Sequence, residues 1–550
     1  MKRGTLMLKN KSNIFCLSEK HICFFILSGI FAFFALLYQP LKTAESLCPL
    51  YESGVQIAKS TFLFALYMFL FYCCITFLYH YLNGRKPTAE TNYLSYPKKA
   101  LILALVWLPH IIAAYPASIP PDTETQLLQF MGYEPFTAHH PPVHTFLVGI
   151  CTQLGMQFFH SYNIGIFFSI ILQYMAMLLI FTYTLHYLEK HGAPACISGI
   201  LWTVYSLSPL ITGFVGVALK DVIYSAFFVL FVIFCVRFIE TPSFSLTLRD
   251  TIGLCTSGIC VILLRNNGKY VIYPMCLLLF GITIIHNFRD KKQWVKALSL
   301  LILPAAVSFL LLHSLTITWH IAPGSIREAL SFPFQQTART VSKHSAELPE
   351  EEKEAIDKVL DYSKIGRWYD YRICDPVKLT YREEATAEDL LHYFQTWARE
   401  FKRYPATYLT ATLMQNYPLL CLFDDNSYYY RSSRAAYNDY EIIAPVLAME
   451  KINDAFYQFY NMVHKIPIFG LIAHMSFYCI LLFVLTAYVW CRKIYRLLIP
   501  LLPLWLSFGI CVLAPAITNN ARYAFPICYS IPFLFGCYTI YSCRQQPCNQ

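Results

Sequence analysis

Charge is what this 550-residue chain lacks: only 14% of its residues are Asp, Glu, Lys or Arg, against about 25% in an ordinary soluble protein. So few charges cannot solvate the surface of a soluble enzyme. They give neither the polar composition of a disordered chain nor the basic face of a nucleic-acid binder. No Walker loop, GxSxG elbow, HExxH pair or dinucleotide-binding glycine pattern is present. Nor is there a CxxC pair, an internal repeat or a low-complexity stretch. The 20 cysteines therefore do not form a disulfide scaffold. Most, such as Cys73, Cys74, Cys235, Cys260, Cys276 and Cys511, sit in apolar runs and act as small hydrophobes. Only Cys374 and Cys421 fall in a large polar segment, where one disulfide at most is in question.

What is abundant is apolar surface. Apolar residues make up 56% of the chain, and runs near 20 residues recur, as membrane-spanning helices require. They lie at about 22–38, 61–82, 100–115, 164–188, 193–215, 222–239, 251–264, 270–286, 297–317, 468–490, 495–514 and 523–542. This predicts an all-α polytopic membrane protein of about 12 transmembrane helices. The first run is not a cleavable signal, because no small-residue cleavage site follows it. A further stretch, 143–159, is read as a helix lying in the outer interface. With that stretch not spanning and a cytoplasmic N-terminus, Arg85, Lys86, Lys98 and Lys99 fall inside. So do Arg289, Lys291, Lys292 and Lys296, and then Arg492, Lys493 and Arg496, as the positive-inside rule requires. Counting 143–159 as a span would put the last two clusters outside. Both termini are then cytoplasmic, and the +10 net charge reflects inner loops rather than an acidic partner.

This threading divides the chain into a two-helix addition (1–99), a membrane core with an outer catalytic loop (100–317), an inserted, mainly helical extracytoplasmic domain (318–467) and C-terminal transmembrane helices (468–550). The inserted domain carries 17 Lys+Arg against 21 Asp+Glu. Pro349 followed by Glu350, Glu351 and Glu352 predicts a helix start, with Ala355, Ile356, Val359 and Leu360 on one face. Thr386 and Asp389 predict a capping box. Beyond it Leu390, Phe394, Trp397 and Phe401 form a stripe expected to pack against the membrane domain.

The outer loop 115–163 contains no Lys or Arg, yet it carries Asp122 and Glu124 just after a span. Asp122 is a natural N-cap for a short helix 123–131 that Gly132 ends, a role compatible with accepting a proton. His139 and His140 precede Pro141, Pro142 and His144. Pro142 is expected to start the interfacial helix, and the prolines spoil a metal-binding histidine pair. Histidines that hydrogen-bond an anionic headgroup or a sugar hydroxyl fit better. Lys220 and Asp221 stand before the sixth span, where a local ion pair capping that helix is the plain alternative. In the turn Arg265-Asn266-Asn267-Gly268-Lys269, left-handed turn conformations account for Asn267-Gly268 but not for the cations. Arg522, in Asn519-Asn520-Ala521-Arg522, has snorkelling as its alternative. Three separated basic sites at the disfavoured face point to a held anion, and a lipid phosphate fits. Gln335, Gln336 and Arg339, soon after the ninth span, are close enough to the membrane to face the same cavity; a solvated helix fits them equally. Asp375-Pro376, Asp424-Asp425, Arg431 and Arg434 have no spacing that decides a role.

The order of these features, an outer acid after an early span, a His-His-Pro loop, an interfacial helix and then Lys-Asp before a later span, resembles the GT-C superfamily of membrane glycosyltransferases. Pro121-Asp122, His139-His140-Pro141, Lys220-Asp221, Arg265 to Gly268, Pro333 to Arg339 and Asn520 to Tyr523 are also similar to a bacterial multi-pass family of uncharacterised function. The similarity runs from about residue 100 to 542. By the GT-C resemblance the fold is GT-C-like, Asp122 matches the first-loop acid that acts on the acceptor nucleophile, and Asp221 matches the second-loop acid. Lys220 precedes that second acid, and no DxD or DxE partner accompanies it. No cofactor is firmly expected, and a divalent cation is left open.

The resulting expectation is inverting transfer of a sugar from a polyprenyl-phosphate donor to a cell-envelope glycan, lipid or protein acceptor at the outer face of the cell membrane. Asp122, Asp221 and Glu124 are the catalytic candidates. His139, His140, Lys220, Arg265, Asn266, Gln336, Arg339 and Arg522 are the candidates for substrate and phosphate binding. The alternatives are a transporter or flippase of an anionic envelope lipid, disfavoured by charges gathered at one face, and a polymerase of lipid-linked glycans. The lipid bilayer is a partner, and nucleic acid is not.

Overall fold

The computed structural model describes residues 19–83, 93–423, 442–514, 517–518 and 520–545. Arg85, Lys86, Asp424, Asp425, Arg431, Arg434 and Asn519 lie outside the described residues. Helices α1 (Glu19–Ala44) and α2 (Gly54–Asn83) form a hairpin, and α3 (Tyr96–Ala113) follows. Then come α4 (Pro121–Met131), α5 (Pro142–Phe159) and α6 (Tyr162–Lys190), the last packed along α5. The seventh helix, α7 (Ala195–Leu207), breaks at Ser208-Pro209 into the one-turn α8 (Pro209–Thr212). Helices α9 (Lys220–Glu240), α10 (Leu248–Leu264), α11 (Lys269–His286) and α12 (Lys291–Thr318) complete the first part of the bundle. The inserted domain holds α13 (Ser331–His344), α14 (Glu350–Asp357), α15 (Tyr362–Trp368), α16 (Asp375–Lys378), α17 (Ala387–Arg403) and α18 (Pro405–Asn416). The chain then returns through α19 (Leu447–His464), α20 (Pro467–Leu471), α21 (Met475–Cys491), α22 (Leu502–Leu513) and α23 (Phe525–Gln545).

No strand occurs among the described residues beyond isolated bridges. Nine helices among them are long and apolar enough to cross a membrane. The protein is an all-α polytopic membrane protein. Three further apolar runs, at 193–215, 251–264 and 468–490, are helical but shorter, as α7, α10 and α21. Helix α5 is not among the nine. At the centre stands α9, apolar all round and buried on nearly every side, which is how a helix without a polar face is accommodated. The opposite case is α2, equally apolar but almost entirely exposed by the protein, as a lipid-facing helix is.

The inserted domain has its own core, in which Phe334, Ile356, Leu360, Ile365, Val377 and Tyr393 are packed together. The capping box of Thr386 and Asp389 forms with both hydrogen bonds. The stripe expected to meet the membrane domain does not: Phe394 and Phe401 are exposed, and the buried face of α17 is Tyr393, Thr396 and Glu400. These polar groups go inside because they are paired, Tyr393 with Thr337 and Glu400 with Tyr408. Helix α14 ends at Asp357, so Val359 and Leu360 enter the core from the turn beyond it. Cys374 and Cys421 are free thiols in separate clusters, the first in the domain core and the second against Leu37, Tyr38 and Leu41 of α1. The end of segment 318–467 belongs to the bundle, since α19 packs on α3 and Tyr460 hydrogen-bonds Thr212 at 3.0 Å.

Candidate active site

Two loops far apart in sequence are stitched side by side. Ser118 and Val217 form a parallel bridge: the Ser118 amide donates to Gly216 O at 3.0 Å and the Ala218 amide to Ser118 O at 2.9 Å. Thr123 Oγ1 donates to Ala218 O beside it, and Gln173 Nε2 donates to the carbonyl of Val217 at 2.9 Å. The first turns of α4 and α9, which follow these two strands of chain, are thereby held together. The consequence is that Lys220 Nζ reaches Asp122 Oδ2 at 2.6 Å. Arg522, on the 3-10 turn before α23, donates from Nη1 to the same oxygen at 3.1 Å.

Lys220 and Asp221 do not pair with each other. Asp221, only 1% exposed, faces Arg265, whose Nε lies 3.1 Å from its Oδ1. Two tyrosines flank the guanidinium groups. Arg265 lies 5.4 Å from the ring centre of Tyr224 and 5.0 Å from that of Tyr523. Arg522 lies 5.0 Å from the Tyr523 ring and donates to its hydroxyl at 3.1 Å. Three cations and two carboxylates thus share one cluster, leaving one net positive charge. Arg522 Nε is buried without a hydrogen-bond partner, a donor still unspent.

Asp122 is not the expected N-cap. Helix α4 begins at Pro121 with Pro120 in the cap position, so Asp122 sits inside the first turn. Its carboxylate favours the helix N-terminus but is spent on Lys220 and Arg522. Burial pushes the carboxyl up, yet the two cations outweigh it and hold it well below the ordinary carboxylate range. Glu124 is half-buried in the same turn. Gly132 ends α4 in the left-handed region, at φ 81°.

The histidine loop is held from two sides. Thr137 and Ala322 form a second parallel bridge, tying it to the entry of the inserted domain. Asn266 Nδ2 donates to the carbonyls of Ala138 and His139, both at 3.0 Å. Asn266 therefore clamps the loop through its backbone. His140 is buried with Nδ1 3.1 Å from Lys220 Nζ. Burial, reinforced by Lys220, holds the imidazole down to about 3. The ring is neutral at physiological pH, and Nδ1 must be the acceptor because an ammonium only donates. His139 meets the His140 ring edge-to-face but is half-exposed, 3.9 Å from Glu328. His144 leaves the cluster and meets Gln126 at 3.0 Å between α4 and α5.

The turn at Asn267-Gly268 is a right-handed 3-10 turn, with Gly268 at φ −57° rather than left-handed. Glycine is needed there for a different reason: a Cβ would stand 2.1 Å from Val261 O.

Gln336 and Arg339 do not face the Asp122 cluster. They lie on α13, whose middle is buried on all sides within the inserted domain. Gln336 bonds Thr412 and Trp397, and Gln335 bonds Asp370 O. Arg339 bonds Tyr369, Met414 and the carbonyl of Glu45 at the end of α1. Proximity in sequence to a span does not decide which way a buried helix turns.

Tyr224 and Tyr523 were not singled out by the sequence as site residues. Tyr224 had a readable signal, one helical turn after Lys220 on the same face. A divalent cation does not fit the cluster: each acid already carries a guanidinium or ammonium group. Among the described residues no group of three His, Cys, Asp or Glu side chains stands together as metal ligands.

A model of the family of unknown function DUF6020 matches residues 132–548. The match takes in His139, His140, Lys220, Asp221, Arg265 and Arg522 and begins past Asp122. No curated protein and no solved structure matches the chain.

Proposed function

The chain belongs to DUF6020, a family of unknown function, so its activity has to be read from the site, and we propose that it transfers a sugar from a polyprenyl-phosphate donor to a cell-envelope acceptor. The observation that carries this reading is the crossed pairing of Asp122 with Lys220 and Arg522, beside Asp221 with Arg265. A cluster with one surplus positive charge and an unspent guanidinium N–H suits one anionic group. Guanidinium and ammonium donors are the usual partners of phosphate.

In this proposal the donor's phosphate displaces the Asp122 carboxylate from Lys220 and Arg522. Asp122 then loses the cations that depress its pKa and gains an anionic neighbour, so it becomes a proton acceptor only when the donor is seated. Both cations sit on Oδ2, so Oδ1 is the oxygen an acceptor hydroxyl approaches. The acceptor oxygen bonds to the anomeric carbon as its proton passes to Asp122. The bond from that carbon to the phosphate oxygen breaks, and its electron pair leaves with polyprenyl phosphate. The transition state is oxocarbenium-like, the configuration inverts, and the departing charge is held by Lys220, Arg265 and Arg522. His140, neutral, accepts a hydrogen bond from Lys220 at Nδ1 and so orients that ammonium.

The same reading takes the membrane core as GT-C-like, with 12 spans, both termini in the cytoplasm and the inserted domain outside. What supports this topology is the placement of the basic clusters. Arg289, Lys291 and Lys292 lie at the junction of α11 and α12, whereas the Asp122 cluster lies at the start of α11, roughly 27 Å away along that helix. The experiment is incubation of membranes containing the protein with a panel of polyprenyl-phosphate sugars, measuring released polyprenyl phosphate. Release with at least one donor, lost in Asp122→Asn, is expected. No release from any donor contradicts the reading.

A further inference from the structure

The inserted domain contains an open cavity of about 800 Å³ that the transfer chemistry does not use. Its walls include Trp368, Tyr369, Tyr371, Arg367, Arg372 and Asp370, with Glu45 from the end of α1 at its lip. We infer that this cavity binds an uncharged oligosaccharide, the part of the acceptor that the transfer reaction elongates; this rests on the glycosyltransferase reading above.

The lining makes the case. Two guanidinium groups are balanced by two carboxylates, so the wall offers donors and acceptors without a net field. A polyhydroxyl ligand uses both, whereas a multiply charged anion would need a surplus of one sign. Trp368 is 43% exposed at the cavity, and Tyr371 lines it too. Such rings present an apolar face to the C–H face of a sugar and a polar edge to its hydroxyls. Arg367 is exposed and forms no ion pair among the described residues. The size falls in the range of formed ligand clefts.

The cavity is built rather than accidental. Arg339, buried, donates to the Tyr369 hydroxyl at 3.0 Å and to Glu45 O at 2.7 Å, joining the two walls. Glu45 adopts φ 49°, a left-handed conformation that a glutamate holds only where its surroundings impose it. Asp370 is fixed by Arg372 through both oxygens, and Gln335 donates to its carbonyl. The cavity is also tied to the Asp122 cluster. The Thr518 amide donates to Arg372 O at 2.8 Å, and Ile517 bridges Ile373. Thr518 is four residues from Arg522, roughly 14 Å of extended chain at most. A glycan seated here is within reach of the reacting centre by its end.

The test is saturation-transfer NMR and calorimetry on the full-length protein in detergent, using oligomers of N-acetylglucosamine, mannose and galactose as probes. At least one is expected to bind, with Trp368→Ala and Arg367→Ala each weakening it about tenfold and Trp368→Phe retaining most of it. Both positions are exposed, so thermal unfolding should be unchanged, and either variant serves if the other misfolds. No binding at millimolar saccharide, or binding indifferent to both variants, overturns the inference. Saccharide binding without polyprenyl-phosphate release from any donor sinks the transfer reading and leaves the cavity standing. Release with no saccharide binding does the reverse.

Discussion

Asp122 and Lys220, separated by 98 positions in the chain, meet at 2.6 Å because the loops before their helices are bridged at Ser118 and Val217. Arg522 closes on the same carboxylate oxygen from a third part of the sequence. The resting state is thus a neutralised acid, and its activation requires that something else take the cations.

Replacing Asp122 tests both halves of that statement. Asp122→Asn should lower turnover by about 10²–10⁴, the usual value of a general base. It should also cost about 1–3 kcal/mol of stability, because two partly buried cations lose their counter-charge. A helix cap alone would leave turnover intact. The stabilisation has a pH signature. A carboxyl depressed in the folded protein contributes fully above its unfolded value, about pH 4, and that contribution is lost as pH falls below it. The difference in melting temperature between wild type and Asp122→Asn should therefore narrow between about pH 6 and about pH 3.

Arg339 offers the contrasting case. Because its partners are Tyr369, Met414 and the Glu45 carbonyl, Arg339→Ala should destabilise the inserted domain by about 1.5–3 kcal/mol. Donor affinity should not change. A donor KM that rises with unchanged melting temperature would instead return Arg339 to the phosphate site.

Glu400 gives the inserted domain an opposite pH dependence. Burial pushes its carboxyl up to about 7, against the hydrogen bond from Tyr408. A raised acid contributes stability that is complete below its ordinary value, near 4.5, and is lost as pH rises through about 7. Thermal unfolding followed between those limits should show a falling melting temperature, and Glu400→Gln should flatten that slope. A slope unaffected by Glu400→Gln would assign it to another group.

The topology is open to a chemical test. A cysteine introduced at Glu350, in the inserted domain, should react with a membrane-impermeant thiol reagent in intact cells. One at Lys291 should react only after the membrane is opened. Labelling at Lys291 in intact cells would invert the threading.

Much of this molecule was legible in the sequence for simple reasons. Each of the twelve apolar runs is helical over most of its length, with breaks at Ser208, after Thr212 and at 472–474. Nine helices among the described residues are long and apolar enough to cross a membrane, where a segment can satisfy its backbone only internally. Pro142, Gly132 and the Thr386 box set helix ends by local geometry, which needs no tertiary knowledge. Asp122, His140, Lys220, Asp221, Arg265 and Arg522 were marked by charge or polarity at helix ends and do share one cluster. What failed was anything decided by facing. Gln336 and Arg339 lay near a span but turned into their own domain, and the α17 stripe was read a position out of register. The plain alternative for Lys220 and Asp221, a local ion pair, does not form, because the Ser118–Val217 bridge brings Lys220 to Asp122 and leaves Asp221 to Arg265.

The exchange of Asp122's cations onto a lipid phosphate is best tested by isotope-edited infrared difference spectroscopy on the Asp122 carboxylate, with Asp122→Asn identifying its band. Titration in the absence of ligand should find the carboxylate ionised well below the ordinary range. With saturating polyprenyl phosphate, Lys220 and Arg522 move to the phosphate, so the band should shift and the titration midpoint should rise by more than one pH unit, about 1.4 kcal/mol of lost pairing. A band and midpoint that stay where they were, with the lipid demonstrably bound, would contradict the account.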